Sequence, residues 1–336
     1  MEVVDSRSNS RPRKGHRSWT GLVVLGLVLA ACAGPRSSAD SAQDWRRAEV
    51  ATQAGDWDRA ASLWNRIRMD AYDTDVRPHL ETAEALIRMG EQDEALALLR
   101  HAEALFPDDP TVALAQGRLL ERMGFRRAAE LDLERATMLV PDSSAAYLAL
   151  GRVRLGLAQP GPATRSLLMA RELGDDSVEV YRLLARAQRE TGDWPAAHAS
   201  YAAAIAREAR EEGEASVELL VEAASLHTVR ASDLEGCPHL TEALDWAARA
   251  ALRDPQCERC HFVWAGLLEL TGDVDGAVVQ YRRTVEIDNL HLGAITNLAL
   301  IYSDRGDLGQ AQAMVERAVE LETDARRRDA LWALVR

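Results

Sequence analysis

Lysine is almost missing from this sequence. Lys14 is the only example among 336 residues, so arginine carries the remaining basic charge. Aromatic residues are also scarce, at 5%, and runs of residues typical of β-strands are nearly absent. The apolar residues, 47% of the chain, are mostly alanine and leucine, which favour helices. These shortages argue against a sheet-based core and predict an all-α fold.

Basic residues are outnumbered by acidic ones, and the net charge is −13. This excess of negative charge argues against binding to nucleic acid and against electrostatic adhesion to anionic lipid. No hydrolase triad, phosphate-binding loop or pair of catalytic carboxylates occurs in a supporting sequence context. We therefore expect a protein that is not an enzyme and needs no cofactor.

An apolar run near the N-terminus, Gly21 to Ala31, is too short to span a bilayer as a helix. It follows a basic segment and leads into Leu29-Ala30-Ala31-Cys32, which matches the lipobox of bacterial lipoproteins. The motif predicts a signal peptide over 1–31, acylation of Cys32 with palmitate-type chains, and a flexible tether over 32–43. An ordinary signal peptide with a coincidental cysteine is the alternative. Ala33 follows the cysteine, which by resemblance to sorted lipoproteins implies the periplasmic face of the outer membrane.

Small residues recur at a nearly fixed interval, and this is the strongest pattern in the chain. The intervals are 35, 34, 34, 34, 46, 34 and 34 residues for the series Ala60, Ala95, Ala129, Ala163, Ala197, Ala243, Ala277 and Ala311. A second small residue precedes each of them, namely Ala48, Ala83, Gly117, Gly151, Ala185, Ala223, Ala265 and Ala299. Small side chains on both members let two helices approach closely, so the pattern predicts a series of helical pairs.

The segment from Leu292 to Ala325 shows the pattern most clearly, with a small residue in each helix and Gly306-Asp307 as the turn. In period and in these positions the chain resembles the tetratricopeptide repeat family. The resemblance implies a right-handed α-solenoid of about eight helix-turn-helix units over 44–325, closed by a capping helix over 326–336. The units are expected to begin near residues 41, 76, 110, 144, 178, 216, 258 and 292.

Two places depart from this pattern. Ala158 stands where the other repeats place the turn glycine, directly before a helix that starts with Pro160. Proline is tolerated in the first turn of a helix, so this repeat is expected to form. The single 46-residue interval holds twelve extra residues within 207–238, about four in 207–214 and about eight in a loop over 230–238.

In the tetratricopeptide repeat family the first helix of each unit lines the concave face. The corresponding positions here hold arginines and a leucine, namely Arg77, Arg88, Arg118, Arg122, Leu148, Arg152, Arg182, Arg186 and Arg189. The resemblance therefore implies a partner-binding groove, and the arginines favour a peptide or protein with acidic residues, since guanidinium binds carboxylate bidentately. The alternative is that Glu84, Glu121, Glu179 and Glu190 neutralise this row of arginines.

Cys257 and Cys260, followed directly by His261, have the spacing of a c-type haem attachment site, with His261 as the iron ligand. A local disulfide is the second interpretation, because an exported protein enters an oxidising compartment. A zinc site from Cys237, His239 and the two cysteines is disfavoured. The intervening helix separates Cys237 from Cys257 by ~21 Å, too far for a shared ion.

These observations predict a membrane-anchored scaffold or adaptor lipoprotein that binds a peptide or protein of a cell-envelope assembly. By resemblance, such lipoproteins serve pilus and secretin biogenesis, envelope proteases or outer-membrane protein assembly. A periplasmic redox or c-type haem protein that uses Cys257, Cys260 and His261 is the alternative.

Overall fold

The computed structural model describes residues 38–71, 74–228 and 239–335. The chain divides into two compact units, Met1–Leu98 and Leu99–Arg336. The described part of the first unit holds α1 (Ser38–Gln53), α2 (Trp57–Asp70), α3 (Arg77–Met89) and the beginning of α4 (Gln92–Leu105), within which the boundary lies. The prediction of an all-α fold is confirmed, since the described residues contain seventeen α-helices and no strand.

The second unit continues with the end of α4 and thirteen further helices. These are α5 (Pro110–Arg122), α6 (Arg126–Leu139), α7 (Ser144–Gly156), α8 (Pro160–Glu172), α9 (Val178–Thr191), α10 (Trp194–Glu212), α11 (Val217–Ser225), α12 (Leu240–Arg253), α13 (Glu258–Leu270), α14 (Val274–Ile287), α15 (Leu292–Asp304), α16 (Leu308–Leu321) and α17 (Ala325–Ala333). Helices α5 to α16 form six successive pairs, and we call the first member of each pair in the chain helix A and the second helix B.

In the first unit, α1 and α2 pack around alanines and tryptophans. Ala48 and Ala60 are fully buried, and Trp64 is buried beside them. The ring of Trp45 meets the ring of Trp64 edge-on, with centroids 5.1 Å apart. Small residues therefore let the two helices approach, while the aromatic pair fills the space along their edge.

Helix α1 begins earlier than the sequence pattern indicates. It starts at Ser38, whereas we predicted a flexible tether as far as residue 43. No glycine or proline follows Pro35 until Gly55, so nothing in that stretch stops a helix from extending. The rest of the predicted tether, 32–37, lies outside the described residues. The predicted lipidation residue Cys32 belongs to that part.

In the second unit, the pairing of helices follows the spacing of small residues. The alanines of the helix B series are all fully buried, namely Ala129, Ala163, Ala197, Ala243, Ala277 and Ala311. Most helix A members begin at a capping side chain, for example Asp109, Ser143 and Ser177, each of which accepts a hydrogen bond from a backbone N–H in the first turn. Local capping and small contact residues thus set the same helix boundaries.

The junction between the pair α9–α10 and the pair α11–α12 departs from the regular pattern. Helix α10 has 19 residues, whereas most of the other helices have 13 or 14, and it ends at Gly213 with φ of 85°. Helix α11 is correspondingly short, with 9 residues. The predicted four-residue excess at 207–214 falls in the end of α10 and the turn after it, while the predicted loop over 230–238 lies outside the described residues.

The last helix, α17, packs on the final pair of the second unit. Leu331 is buried against Ile295, Ala299 and Val315, and Ser303 Oγ donates a hydrogen bond of 2.6 Å to the carbonyl oxygen of Leu334. Within the described residues, no helix combines the length and the apolar character needed to cross a membrane.

Candidate partner-binding surface

Helix A members of the second unit form a surface on which arginines and glutamates alternate from one helix to the next. We call the exposed side of α5, α7, α9 and α11 the helix A surface. Arg152 on α7 lies in its middle and makes bidentate hydrogen bonds to Glu121 on α5, with N–O distances of 2.8 to 3.1 Å. Its remaining nitrogen reaches Glu179 on α9 at 2.8 Å. One guanidinium therefore connects three successive helix A members.

Arg182 on α9 repeats this arrangement one step further along the surface. Its Nε donates to Glu222 on α11 at 2.6 Å, and its Nη2 donates to Glu218 of the same helix. Glu222 also accepts a hydrogen bond of 3.2 Å from the Tyr201 hydroxyl and lies 3.6 Å from Arg186 Nε. Burial beside this carboxylate raises the pKa of Tyr201, so the phenol remains a proton donor.

Each of these two arginines has one shielded and one exposed carboxylate partner. For Arg152, the Glu121 side chain is 17% exposed and the Glu179 side chain is 48% exposed. For Arg182, the corresponding values are 12% for Glu222 and 70% for Glu218. The shielded carboxylate fixes the orientation of the guanidinium, while the exposed one occupies the side that faces solvent.

The first unit has its own arginines on helix A positions, and aromatic rings hold them. The guanidinium of Arg77 lies 5.2 Å from the ring centroid of Trp45 and pairs with Glu49 at 2.9 Å. Arg88 lies 5.5 Å from the ring centroid of Trp57 and pairs with Glu84 at 2.6 Å. In this unit, cation–π contacts complement the ion pairs.

The remaining residues of the predicted groove are more dispersed. Arg118 and Arg122 are exposed on α5, Arg189 is half-buried at the end of α9, and Leu148 packs half-buried against the core formed around α8 and α9. Glu84, Glu121 and Glu179 each pair with an arginine, in line with the alternative that glutamates neutralise the row of arginines. The surface is therefore a network of mixed charge, and a row of unpaired arginines is not the correct description.

Cys257 and Cys260 are joined by a disulfide at the start of α13. Cys257 is the residue before the helix, and its sulfur accepts a hydrogen bond of 3.1 Å from the backbone N–H of Cys260. His261 is buried, with Nδ1 2.7 Å from Gln280 Oε1. Haem does not fit these residues, because the disulfide uses both sulfurs and the His261 ring packs inside the helical stack. The bonded pair also excludes the zinc set that included both cysteines.

A cluster that sequence analysis missed lies in the irregular junction of the second unit. His198, His227, His239 and Glu242 meet there, from the helices α10, α11 and α12 and their ends. The spacing of 198, 227 and 239 matches no metal-ligand motif. The available signal was that these histidines all lie within the one 46-residue interval that breaks the repeat period.

Comparison with known proteins agrees with this fold. The family model described as tetratricopeptide repeat matches residues 76–119, and a second model of the same description matches residues 292–324. The chain therefore contains tetratricopeptide repeats, which are modules that bind proteins or peptides, generally without catalytic activity. None of the curated protein sequences matches this chain.

Several solved structures share the architecture at low sequence identity. The C-terminal part of a repeat-containing protein from Cytophaga hutchinsonii is similar at 15% identity and a TM-score of 0.59, covering 75% of this chain and 99% of that one. A tetratricopeptide repeat protein from Parabacteroides merdae has 12% identity and a TM-score of 0.51, with coverages of 74% and 93%. PilF from Pseudomonas aeruginosa has 13% identity and a TM-score of 0.50, with coverages of 67% and 96%. At these identities the likeness establishes the fold alone.

Proposed function

We propose that this protein is a scaffold that binds an acidic peptide or protein segment along the helix A surface of its second unit. The observation that supports the proposal is the paired environment of Arg152 and Arg182, each held by a shielded carboxylate and covered by an exposed one. An exposed ion pair contributes at most ~1 kcal/mol to stability. A carboxylate of the partner can therefore replace Glu179 or Glu218 at little cost, on a guanidinium that is already oriented.

The second element of the proposal is membrane anchoring through Cys32 at the periplasmic face of the outer membrane. Its support is the sequence Leu29-Ala30-Ala31-Cys32 and the Ala33 that follows it. In that location the partner belongs to a cell-envelope assembly such as a pilus or secretin system. Cys32→Ser is expected to abolish labelling with radioactive palmitate and to release the protein from the membrane fraction. A Cys32→Ser protein that remains membrane-bound would contradict the lipid anchor without affecting the surface proposal.

Photo-crosslinking in the native cell tests the binding surface. The photoreactive residue is placed at Arg186 and at Arg189, with Arg328 on α17 as the control position. The two surface positions are expected to capture one envelope protein that the control position does not capture. Amine-reactive reagents are unsuitable, because the chain has a single lysine.

A charge variant sharpens this experiment. The double variant Glu179→Gln and Glu218→Gln removes the exposed competing carboxylates and leaves Glu121 and Glu222 in place, so the crosslinking yield should rise. The matched control is Glu316→Gln with Glu320→Gln, which removes two exposed carboxylates from α16. Equal yields in both double variants would show that net charge, and not this surface, governs binding.

A redox role of the Cys257–Cys260 disulfide is the second candidate function. It is favoured by the position of the bond at the beginning of α13, since the N-terminus of a helix stabilises a thiolate. Equilibration with dithiothreitol buffers measures the reduction potential. A value below about −300 mV would assign the bond a structural role, whereas a redox protein requires a higher value.

A further inference from the structure

The histidine cluster is built by three elements of the second unit that converge at the irregular junction. His198 lies in α10 directly after the fully buried contact residue Ala197, and its side chain is only 4% exposed. His227 follows the end of α11 and is also buried. His239 immediately precedes α12, and Glu242 lies in the first turn of that helix. His198 and His227 are therefore the buried members of the cluster, and Glu242 is its exposed member.

The distances suit coordination of a single ion. One ligand atom from each of His198, His239 and Glu242 lies within 4.8 Å of the other two. His198 Nε2 and Glu242 Oε2 are 2.9 Å apart. Two donors bound to one zinc ion at about 2.0 to 2.2 Å are separated by roughly 3.3 Å, so the present separations require only side-chain adjustment.

The required adjustment falls mainly on His239. Its ring stacks on the ring of His198, with centroids 3.9 Å apart, and must turn so that both rings direct a nitrogen at one point. His239 is half-buried and is the residue directly before α12, so its ring is attached outside the helix itself. The His198 ring is fixed by contrast, since it packs against Trp246 at 4.9 Å on the side of the core.

His227 supplies the hydrogen bond that a metal-binding histidine needs at its second nitrogen. His198 Nδ1 lies 3.1 Å from His227 Nε2. When His198 Nε2 binds an ion, its Nδ1–H donates to His227 Nε2, and this contact fixes both the tautomer and the ring orientation.

The charge of the cluster favours a cation. Glu121 and Glu222 pair with arginines, whereas Glu242 has the imidazole of His198 as its partner. A nitrogen-rich set with one carboxylate suits zinc-like ions and not the oxygen-preferring Mg²⁺ or Ca²⁺.

We propose that His198, His239 and Glu242 bind a divalent transition metal ion of the zinc class, with His227 as the positioning residue of His198. Three protein ligands leave one coordination position for water. The ion would join α10 to α12 across the junction where the regular repeat contacts are interrupted. It would thereby set the relative placement of the helices that flank the 229–238 segment.

Titration of Zn²⁺ into the full chain tests the site. The protein is purified without a polyhistidine tag, stripped with chelator and kept oxidised, so that Cys257 and Cys260 remain bonded. Calorimetry should show one ion per chain, with affinity at least tenfold weaker in His239→Ala and in Glu242→Gln. Co²⁺ should give the visible absorption of a low-coordinate site, and His227→Gln should shift this spectrum and weaken binding 10- to 100-fold.

A matched control separates the site from general attraction of cations. Glu258→Gln removes an exposed carboxylate from the first turn of α13, as Glu242→Gln does from the first turn of α12. The control must bind Zn²⁺ as the unaltered chain does, and both must gain thermal stability on adding the ion. Absence of stoichiometric binding, or equal binding by His239→Ala and the unaltered chain, overturns the proposal. Circular dichroism checks that His239→Ala, Glu242→Gln and Glu258→Gln fold as the unaltered chain does.

Discussion

Leu133 fills the space beside Gly117 so closely that a β-carbon on the glycine would lie 2.5 Å from Leu133 Cγ. The next pair of helices repeats the relationship, with the same 2.5 Å separation between the position of a β-carbon on Gly151 and Leu167 Cγ. Both leucines are fully buried. Where helix A carries a glycine, a leucine side chain of helix B therefore fills the space beside it. We call this arrangement of glycine and leucine a matched fit.

Substituting these glycines should lower stability even though alanine is the better helix former. Gly117→Ala or Gly151→Ala is expected to reduce the free energy of unfolding by about 1 to 3 kcal/mol, because the buried leucine cannot move aside. Urea denaturation measures the change. The control is Gly161→Ala in α8, where no neighbouring atom lies within 4 Å, and it should stabilise by about 0.5 to 1 kcal/mol. Equal effects at both sites would refute the matched fit.

Ala158 holds a backbone conformation that suits glycine better. Its φ is 56°, in the left-handed region, and it occupies the turn between α7 and α8. Ala158→Gly should remove about 1 to 2 kcal/mol of backbone strain from the folded state. Glycine also raises the chain entropy of the unfolded state, which lowers stability by about 0.5 to 1 kcal/mol. A net gain of about 0.5 to 1 kcal/mol is expected in thermal or urea unfolding. Gly124→Ala, at φ of 86° in the corresponding turn of the preceding pair, between α5 and α6, should shift stability in the opposite direction.

The two carboxylates on Arg152 should differ in their contribution to stability. Glu121→Gln breaks a bidentate pair with a shielded partner, so a loss of about 1.5 to 3 kcal/mol is expected. Glu179→Gln breaks an exposed pair, and its loss should stay below about 1 kcal/mol. Parallel urea denaturation of the two variants checks this difference. Equal losses would contradict the assignment of Glu179 as the replaceable partner.

The ionised carboxylate of Glu103 contributes to the stability of the folded chain, and this contribution depends on pH. Partial burial opposes its ionisation, but hydrogen bonds from Gln116 and Arg135 and the charge of Arg135 outweigh this and lower its pKa below the ordinary 4.5. The carboxylate therefore stabilises the folded chain above pH 4.5, and this contribution is lost as the pH falls through the lowered pKa. Glu103→Gln should cost about 1 kcal/mol at pH 7 and progressively less below pH 4.5. A pH-independent difference would contradict the ionic origin.

Reduction of the Cys257–Cys260 disulfide should destabilise the second unit modestly. The bond closes a loop of four residues, for which the loss of chain entropy corresponds to about 2 kcal/mol. Cys257→Ser keeps a side chain that can accept the hydrogen bond at the start of α13, so it isolates the covalent contribution. Dithiothreitol should lower the urea midpoint of the unaltered chain and leave that of Cys257→Ser unchanged. A reductant effect of equal size in both proteins would assign it to another cause.

The sequence by itself determined the helical pairs and most of their boundaries, with the early start of α1 at Ser38 as an exception. Each pair depends on local signals, namely small contact residues such as Ala299 and Ala311, capping side chains, and turn residues with positive φ such as Gly306. These signals act within one repeat of about 34 residues, where helix geometry fixes which positions face each other. The same period also placed Arg152 and Arg182 on helix A.

Only the tertiary structure decided which charges meet and where the histidines converge. Arg182 finds Glu222 40 residues away, and His198 meets Glu242 44 residues away, both across the interval that breaks the repeat period. Once twelve extra residues enter that interval, an offset of 34 no longer identifies facing positions. The packing of α9 to α12 then decides which long side chains lie within contact distance of each other. That packing is a property of the folded unit and not of any local segment.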